Sequence, residues 1–228
     1  MSDMIKIALF DFDGTIIPSQ SGHKFALNLF KTGKLSKKSV VKLLFWGFRY
    51  KTHLPYKENL PRELIFGSLI EESAEDVDKI IDKFYEDNLD STVRAPLMDM
   101  ANQIREEGVE LVVLSAAFTQ TLKSFAKRHN FLHIVGTDMQ IEDGKYTGKV
   151  DGDCVAGEKK FERFEKFADE TFGEGKWVIE YAFADHYTDR DLLVRANKVY
   201  AVNPDQLLKR AAKKNGWNIL KFNKKEEK

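Results

Sequence analysis

Two aspartates separated by one residue, Asp11 and Asp13, directly follow the apolar run 4–10. Alternate side chains of an extended chain share a side, so both carboxyl groups face one way and Phe12 faces the other. One carboxylate of such a pair can hold a divalent cation and attack an electrophile, while its neighbour exchanges protons with the leaving group. Gly14 supplies the turn. Asp and Gly also favour Asx turns for backbone reasons, but an intact Asp-Phe-Asp-Gly-Thr directly after a strand favours a catalytic site.

A second pair of acids, Asp185 and Asp189, follows the apolar run 177–183. Asp185 is placed to bind a hard cation, and Asp189, one helical turn later, can ligate it through water or orient Asp185. The alternative is structural, because an acid at a helix N-cap with a second acid in the first turn also complements the helix dipole. The pattern alone leaves both interpretations open.

Ser115 ends a third apolar run, 111–114, and is followed by Ala116 and Ala117. A small hydroxyl with adjacent exposed N–H groups can bind a phosphate oxygen. Serine is also a frequent helix cap, and this structural interpretation is favoured when Ser115 is considered alone.

Two adjacent lysines, Lys159 and Lys160, begin a predicted helix and could supply the cation that a phosphoryl group needs among several acids. Lys160 shares a helical face with the apolar Phe164 and Ala168, whereas Lys159 aligns with the charged Arg163. Helical phase therefore favours Lys160 as the inward-facing lysine, and Lys159 is the alternative. A lysine stem on an apolar face can also merely snorkel to solvent.

Apolar strands that alternate with helical stretches predict a parallel sheet with helices on both faces. Open sheets of this kind bind ligands at the carboxyl ends of their strands, where the acids and Ser115 lie. The sequence predicts an α/β core formed by residues 1–16 and 95–228, with a helical insertion at 17–94. Helices are predicted near 22–31, 36–50, 59–67, 73–89, 96–107, 119–129 and 158–172 and after residues 188 and 205, strands at 4–10, 111–114, 134–135, 177–183 and 198–202, and a hairpin at 139–142 and 145–150.

Taken in order, Asp-Phe-Asp-Gly-Thr at 11–15, Ser115, the lysine and the pair Asp185 and Asp189 resemble the haloacid dehalogenase superfamily along almost the whole chain. Within it, the chain is most similar to subfamily IB, the phosphoserine-phosphatase-like hydrolases. The stretches that support this similarity are 139–151, 157–163 and 201–205, the last lying ahead of Gly216-Trp217. The resemblance implies a Rossmann-like core with a helical-bundle C1 cap inserted after the first strand.

The resemblance also implies a two-step phosphotransfer on a small phosphorylated substrate. In that scheme Asp11 is the nucleophile and forms an aspartyl-phosphate, and Asp13 protonates the leaving oxygen and then activates water. Mg²⁺ would be held by Asp11, the Asp13 carbonyl and Asp185, with Asp189 behind them. Ser115 and Lys160 would bind the transferring oxygens, and the metal and Lys160 would offset the charge of two approaching anions.

Several positions depart from the family pattern. Ala184 and His186 stand where the last motif usually has Gly and a small residue, so His186 either narrows the site, donates a proton or caps a helix start. Gln20 replaces the Glu that meets the substrate ammonium in phosphoserine phosphatases, and Ala116-Ala117 replaces a Gly-Gly pair. Gln20 and Ala116 remain candidate substrate contacts, but both changes count against phosphoserine itself.

The predicted cap has a strong charge asymmetry. Residues 20–62 contain ten Lys or Arg and one acid, and residues 63–92 contain ten acids and two lysines. The basic, aromatic-rich part could attract anionic phosphomonoesters or lie at a membrane surface. Ordinary amphipathic packing is favoured, with aromatics in the cap core and lysines neutralised by the acidic helices. Arg49, Arg62 and His23 are candidates for substrate contact.

Composition excludes several other classes. The 228 residues are 43% hydrophobic and 12% aromatic, unlike a disordered chain, and 36 Lys+Arg balance 36 Asp+Glu, which argues against nucleic-acid binding. Cys154 is the one cysteine, no run reaches the roughly 18 apolar residues of a membrane span, and Asp3 and Lys6 argue against an export signal. We therefore expect a cytoplasmic monomer or homodimer without integral membrane contact.

The sequence thus predicts a Mg²⁺-dependent phosphomonoester hydrolase. Two alternatives stay open at this point. One is a mutase or phosphotransferase that uses the same aspartyl-phosphate, and the other is a degenerate, non-catalytic member that only binds a phosphorylated ligand.

Overall fold

A six-stranded parallel sheet forms the centre of the computed structural model, which describes residues 4–51, 57 and 59–222. Its strands are β1 (Ile5–Phe10), β2 (Glu110–Phe118), β3 (His133–Thr137), β6 (Trp177–Ala184), β7 (Lys198–Val202) and β8 (Asn218–Leu220). Their spatial order is β3-β2-β1-β6-β7-β8, so β1 occupies the interior of the sheet. A separate antiparallel hairpin consists of β4 (Met139–Glu142) and β5 (Lys145–Val150).

The helices fall into an inserted group between β1 and β2 and a group that alternates with the later strands. In chain order they are α1 (Ser21–Lys31), α2 (Lys37–Lys51), α3 (Leu60–Phe66), α4 (Ala74–Asn88), α5 (Ala95–Glu106), α6 (Thr119–His129), α7 (Glu158–Phe172), α8 (Arg190–Leu193) and α9 (Gln206–Asn215). Local signals fix several of their ends. Ser73 caps α4 by accepting a hydrogen bond from the Asp76 N–H, and Gly216 ends α9 in the left-handed conformation. No helix in the described ranges is long and apolar enough to cross a bilayer.

These elements confirm the predicted fold class, an α/β protein with a parallel sheet. Two strands differ from their predictions. β2 does not end at Ser115 but continues to Phe118, because it pairs with Thr137 of β3 after its pairing with β1 has stopped at Val113. The short edge strand β8 was not predicted, since its three residues form a strand only by pairing with β7.

The two faces of the sheet bury separate apolar layers, as alternation along β1 requires. Ile7 and Leu9 face one layer, where Phe164 of α7 packs. Ala8 and Phe10 face the other, which also contains Phe25 of α1 and further apolar residues of α3, α4, α5 and α6. The inserted helices therefore pack on the same apolar layer as one face of the sheet.

Three stacked rings lie on adjacent strands just before the acidic loops. The Phe183 ring is stacked 4.4 Å from Phe10 and 4.7 Å from Tyr200, with interplanar angles of 4° and 10°. Phe10 immediately precedes Asp11, and Phe183 comes two residues before Asp185. This stack fixes the strand ends from which the two acids project.

We expect Phe183→Ala to lower the free energy of unfolding by roughly 3–5 kcal/mol, because it leaves a cavity between two rings in the core. Urea unfolding followed by tryptophan fluorescence measures this change. Phe30→Ala, at a solvent-exposed phenylalanine of α1, is the matched control and should change stability little. Equal losses in the two variants would contradict a supporting role for the stack.

Candidate active site

The pairing of β1 with β6 brings the two acidic motifs together. The Asp11 N–H donates to the Phe183 carbonyl at 2.9 Å, so both chains leave the sheet side by side. The loop after Asp13 turns through Gly14, whose φ is +85°. A Cβ on Gly14 would lie 2.1 Å from Oδ2 of Asp185, so only glycine leaves room for that carboxylate.

Lys160 lies between two carboxylates in the interior. Its Nζ is 3.0 Å from Oδ1 of Asp11 and 2.8 Å from Oδ2 of Asp189. The side chains of Lys160 and Asp189 are each 5% exposed and that of Asp11 is 11% exposed. Lys160 therefore neutralises negative charge in a place that water barely reaches.

Lys159 points the other way. It is exposed and pairs with Asp153 at 3.4 Å and with Glu162 at 3.3 Å, both on the surface. The helical phase of α7 thus separates the two lysines as the apolar spacing predicts. The structure brings Lys160 to the acids and leaves Lys159 in solvent.

Burial dominates the electrostatics of the carboxylates. It raises the pKa of Asp11, while the Lys160 charge opposes that rise. For Asp185, burial and the nearby charge of Asp11 raise the pKa to about 8. Burial by itself would lower the pKa of Lys160, but the charges of Asp11 and Asp189 outweigh it and the pKa is raised. One ammonium thus faces three acids, and negative charge is in excess.

This donor set fits a hard divalent cation. Asp11 and Asp185 are close enough for their charges to interact, since burial first and then the charge of Asp11 raise the pKa of Asp185. Within the described residues, no group of three His, Cys, Asp or Glu side chains could hold a metal ion. The implied set differs in kind, because it uses two carboxylates and the Asp13 backbone carbonyl, all oxygen ligands of the type that Mg²⁺ prefers. Asp189 is engaged by Lys160 and would lie behind these ligands.

Asp13 turns toward the first inserted helix. Its Oδ1 accepts a hydrogen bond from the Ser21 N–H at 2.8 Å, and its Oδ2 accepts one from the Ser21 hydroxyl at 3.0 Å. Burial raises the pKa of Asp13 to about 7, although the Ser21 hydrogen bonds oppose the rise. Asp13 can therefore gain and lose a proton near neutral pH, as a general acid and base must.

Ser21 was missed by the sequence analysis. The available signal was weak: Ser21 follows Gln20 at the start of a predicted helix, where unpaired N–H groups are common. Nothing in the local pattern says that the acceptor of this N–H is Asp13, eight residues earlier.

Ser115 is buried within the extended part of β2 that no longer pairs with β1. Its Oγ accepts a hydrogen bond from the Ala117 N–H at 3.3 Å. The helix-cap interpretation of Ser115 is wrong, because α6 begins at Thr119 and its N-cap residue is Phe118. Ser115 therefore lies in β2, the strand adjacent to β1, two residues beyond Val113, the last residue that pairs with β1.

Arg62 reaches this region from α3. Its Nε and Nη2 donate to the Ala116 carbonyl at 3.1 and 2.8 Å, and the Thr137 hydroxyl donates to the same carbonyl at 3.1 Å. The positive charge of Arg62 also lowers the pKa of Asp13, although this effect is smaller than those of burial and of the Ser21 hydrogen bonds. The inserted segment thus brings one arginine beside the site.

The structure gives the other predicted contacts less support. Arg49 is half-buried, with its guanidinium 5.7 Å from the centroid of the Phe45 ring on the same helix. Gln20 and His23 are exposed at the start of α1. Of the candidates from the inserted segment, Arg62 is the residue that the described contacts bring next to Ala116.

His186 has a structural role. It is the N-cap of the 3-10 turn Tyr187–Asp189, where its Nδ1 accepts from the Thr188 N–H at 3.3 Å. Its Nε2 lies 3.2 Å from Oδ2 of Asp205, and the side chain is 48% exposed. These contacts favour the capping interpretation over a role in proton transfer.

Comparison with known proteins identifies the family. The family model described as haloacid dehalogenase-like hydrolase matches residues 8–193, most of the chain. The chain belongs to the haloacid dehalogenase-like hydrolase family, and the predicted resemblance is confirmed.

Its relatives include named phosphatases. A probable phosphatase of Mycobacterium tuberculosis is 28% identical over 221 residues, which cover 95% of this chain and 75% of that protein. A histidinol-phosphatase of Neisseria meningitidis is 27% identical over 225 residues, which cover 96% of this chain and 100% of that protein. Family and relatives together support a phosphomonoester hydrolase.

Solved structures share the fold. A Bordetella pertussis protein of unknown function has a TM-score of 0.85 at 23% identity, over 95% of this chain and 98% of that one. The apo form of a phosphoserine phosphatase has a TM-score of 0.59 at 17% identity, over 96% and 93% of the two chains. At these identities the similarity establishes the architecture alone.

Replacing Lys160 by Met should lower the free energy of unfolding by roughly 3–5 kcal/mol in metal-free buffer, because Asp11 and Asp189 then lose their buried countercharge. The loss should shrink as the pH falls, since burial raises the pKa of Asp11 and protonation of Asp11 removes its negative charge. Urea unfolding at several pH values measures both effects. Lys159→Met is the matched control and should leave stability unchanged. A pH-independent loss would argue against the charge-pairing explanation.

Proposed function

We propose that this chain is a Mg²⁺-dependent phosphomonoester hydrolase that acts through an aspartyl-phosphate on Asp11. The observation that carries the proposal is the buried position of Lys160 between Asp11 and Asp189, with Asp185 packed against Gly14 beside them. Such a concentration of carboxylates around one lysine has a large desolvation cost, which a purely structural site would not need.

The first step is attack by Asp11. Its carboxylate oxygen forms a bond to phosphorus while the bond from phosphorus to the leaving oxygen breaks. The Lys160 ammonium, 3.0 Å from Asp11, favours the ionised form of this carboxylate and reduces the repulsion between it and an anionic phosphate. Ser115 donates its hydroxyl to one of the oxygens being transferred.

Asp13 moves the protons in both steps. In its protonated form it gives a proton to the leaving oxygen, and as a carboxylate it then takes a proton from the water that attacks the aspartyl-phosphate. Hydrolysis releases inorganic phosphate and restores the Asp11 carboxylate. A pKa of about 7 supports this double role, because both protonation states are populated near neutral pH. Ser21 orients the Asp13 side chain through its two hydrogen bonds.

Asp11, Asp185 and the Asp13 carbonyl are the residues that would hold Mg²⁺, with Asp189 behind them. When bound, Mg²⁺ supplies positive charge that stabilises the oxygens of the transferring phosphoryl group. Lys160 and Arg62 add fixed positive charge from the core and from the inserted segment.

The substrate is a small phosphorylated metabolite. The proposal does not favour phosphoserine, because the neutral and exposed Gln20 stands where a carboxylate would meet the substrate ammonium. A panel of phosphomonoesters that includes phosphoserine and histidinol phosphate tests this choice directly. A strong preference for phosphoserine would show that Gln20 has been misinterpreted.

Asp11→Asn should reduce turnover of p-nitrophenyl phosphate by at least about 1,000-fold, because an amide cannot act as the nucleophile. The assay compares wild type and variant with Mg²⁺ and with EDTA, and the wild type should be active only with Mg²⁺. Asp191→Asn is the matched control, since Asp191 lies near the same motif but pairs with Arg190 at the surface. Activity that survives Asp11→Asn refutes the assigned nucleophile, and a wild type that is inactive with Mg²⁺ favours a binding module.

Asp13→Asn should separate the two steps. With p-nitrophenyl phosphate, whose leaving group needs little protonation, the variant should form the phosphoenzyme but hydrolyse it slowly, by roughly 100-fold or more. Acid quenching and intact-protein mass spectrometry should then detect phosphate on the variant. If the wild-type enzyme transferred phosphate to an added alcohol in preference to water, the protein would instead be a phosphotransferase.

A further inference from the structure

Helix α2 exposes an apolar stripe to solvent. Val41, Leu44, Phe45 and Phe48 follow the i, i+3, i+4, i+7 spacing and are 65%, 70%, 58% and 58% exposed. Solvent-facing helix sides are normally polar, so the large exposure of these apolar side chains is unusual. The predicted placement of the basic segment's aromatics in the cap core holds for Phe25 but is wrong for Phe45 and Phe48.

A different side of α2 contacts the rest of the protein. Val40 and Leu43 are half-buried and pack against the layer that contains Phe25. The helix is therefore apolar on two sides, and Val41, Leu44 and Phe45 on the second side are each more than half exposed. The exposed stripe needs another explanation.

Lysines border the stripe. Lys37 and Lys38 lie in its first turn and Lys42 follows one turn later, and all three are exposed. None of the three forms an ion pair with a residue in the described part of the chain. We call the stripe and these three lysines the basic apolar face.

Acids of the segment 63–92 do not neutralise this face. No ion pair in the described part of the chain joins one of them to Lys37, Lys38 or Lys42, and Glu72 pairs with Lys34 instead. The pairs that occupy them are Lys79 with Glu75 and Asp76, Lys83 with Asp87, Arg128 with Asp82, and His129 with Asp90. The predicted neutralisation of the lysines by the acidic helices therefore does not extend to Lys37, Lys38 and Lys42.

We propose that the basic apolar face docks on an anionic membrane surface. A basic helix with an exposed aliphatic and aromatic stripe buries that stripe at the boundary between headgroups and acyl chains, while its lysines contact anionic headgroups. The four stripe residues carry no hydrogen-bonding group, so they suit a lipid phase better than a protein interface, whose anchors are commonly Trp, Tyr and Arg.

A second copy of the chain is a poorer occupant. A two-fold interface would place the same face on both partners, which brings Lys37, Lys38 and Lys42 against their own counterparts. An anionic lipid surface supplies the opposite charge. Membrane docking does not depend on the hydrolytic function, because no residue of the basic apolar face belongs to the acidic site.

Co-sedimentation with vesicles tests the proposal on the full chain. Vesicles made of equal parts of phosphatidylcholine and phosphatidylglycerol should bind the protein, and pure phosphatidylcholine vesicles should bind it much more weakly. Binding to the anionic vesicles should weaken with added salt, because screening removes the lysine contribution. Absence of binding, or equal binding to both vesicles, overturns the proposal.

Variants separate the two parts of the face. Leu44→Glu should weaken binding at least about tenfold, because it places a charge in the inserted stripe. The triple variant Lys37→Glu, Lys38→Glu and Lys42→Glu should weaken it roughly 100-fold, since each lysine near an anionic surface contributes about fivefold. The matched controls are Leu132→Glu, at an exposed leucine elsewhere, and the triple variant Lys123→Glu, Lys213→Glu and Lys214→Glu.

Turnover of p-nitrophenyl phosphate, or thermal unfolding if no turnover is found, verifies that each variant folds. Equal weakening by the control triple variant would mean that net charge alone governs binding and would overturn the assignment to α2. Sedimentation equilibrium tests the alternative occupant. A wild-type dimer that Leu44→Glu dissociates would identify a second copy of the chain as the occupant and would overturn the membrane-docking proposal.

Discussion

A buried lysine that must satisfy acidic groups on two sides is the constraint on which the site depends. Three carboxylates gathered where water barely reaches are stable only if nearby positive charge and N–H groups replace the lost solvent. Lys160 pairs with Asp11 and Asp189, and its charge also lowers the pKa of Asp185 against the larger rise that burial causes. The chain can meet this constraint only where parallel strands end together. Adjacent strands deliver Asp11 and Asp185, and a glycine lets their loops touch.

The inserted helices complete the site from outside the sheet. Ser21 holds the carboxylate of Asp13 through its N–H and its hydroxyl, and Arg62 holds the Ala116 carbonyl next to Ser115. Further contacts fix the same segment on the core. Tyr146 of the hairpin accepts a hydrogen bond from Gln120 and donates one to Asp78, and thereby links α6 to α4. Asp13, the proposed acid–base residue, is therefore oriented by a segment that packs on the sheet but is not part of it.

Local pattern was enough to predict the parts of the site that local geometry determines. The spacing of apolar residues along α7 distinguishes Lys160 from Lys159, and the ends of apolar runs locate Asp11 and Asp185. Contacts that depend on tertiary structure have no comparable signal in the local sequence. The extension of β2 depends on β3, and the contact of Ser21 with Asp13 depends on the angle at which α1 leaves the loop. Periodicity also predicts that α2 is amphipathic without revealing which of its apolar sides meets the protein.

The charge asymmetry of the insertion has two different structural outcomes. Acids of α4 are used internally, because Arg128 of α6 binds Asp82 at 2.6 Å and lies over the ring of the buried Tyr85. Lys37, Lys38 and Lys42 of α2 form no ion pair with an acid in the described part of the chain, and they stay at the surface beside exposed Leu44 and Phe45. A chain whose charges sum to zero therefore presents one strongly basic surface, since opposite charges cancel only where the fold brings them into contact. The exposure of Lys37, Lys38 and Lys42 beside Leu44 and Phe45 keeps the charge and the apolar stripe of α2 available to a partner.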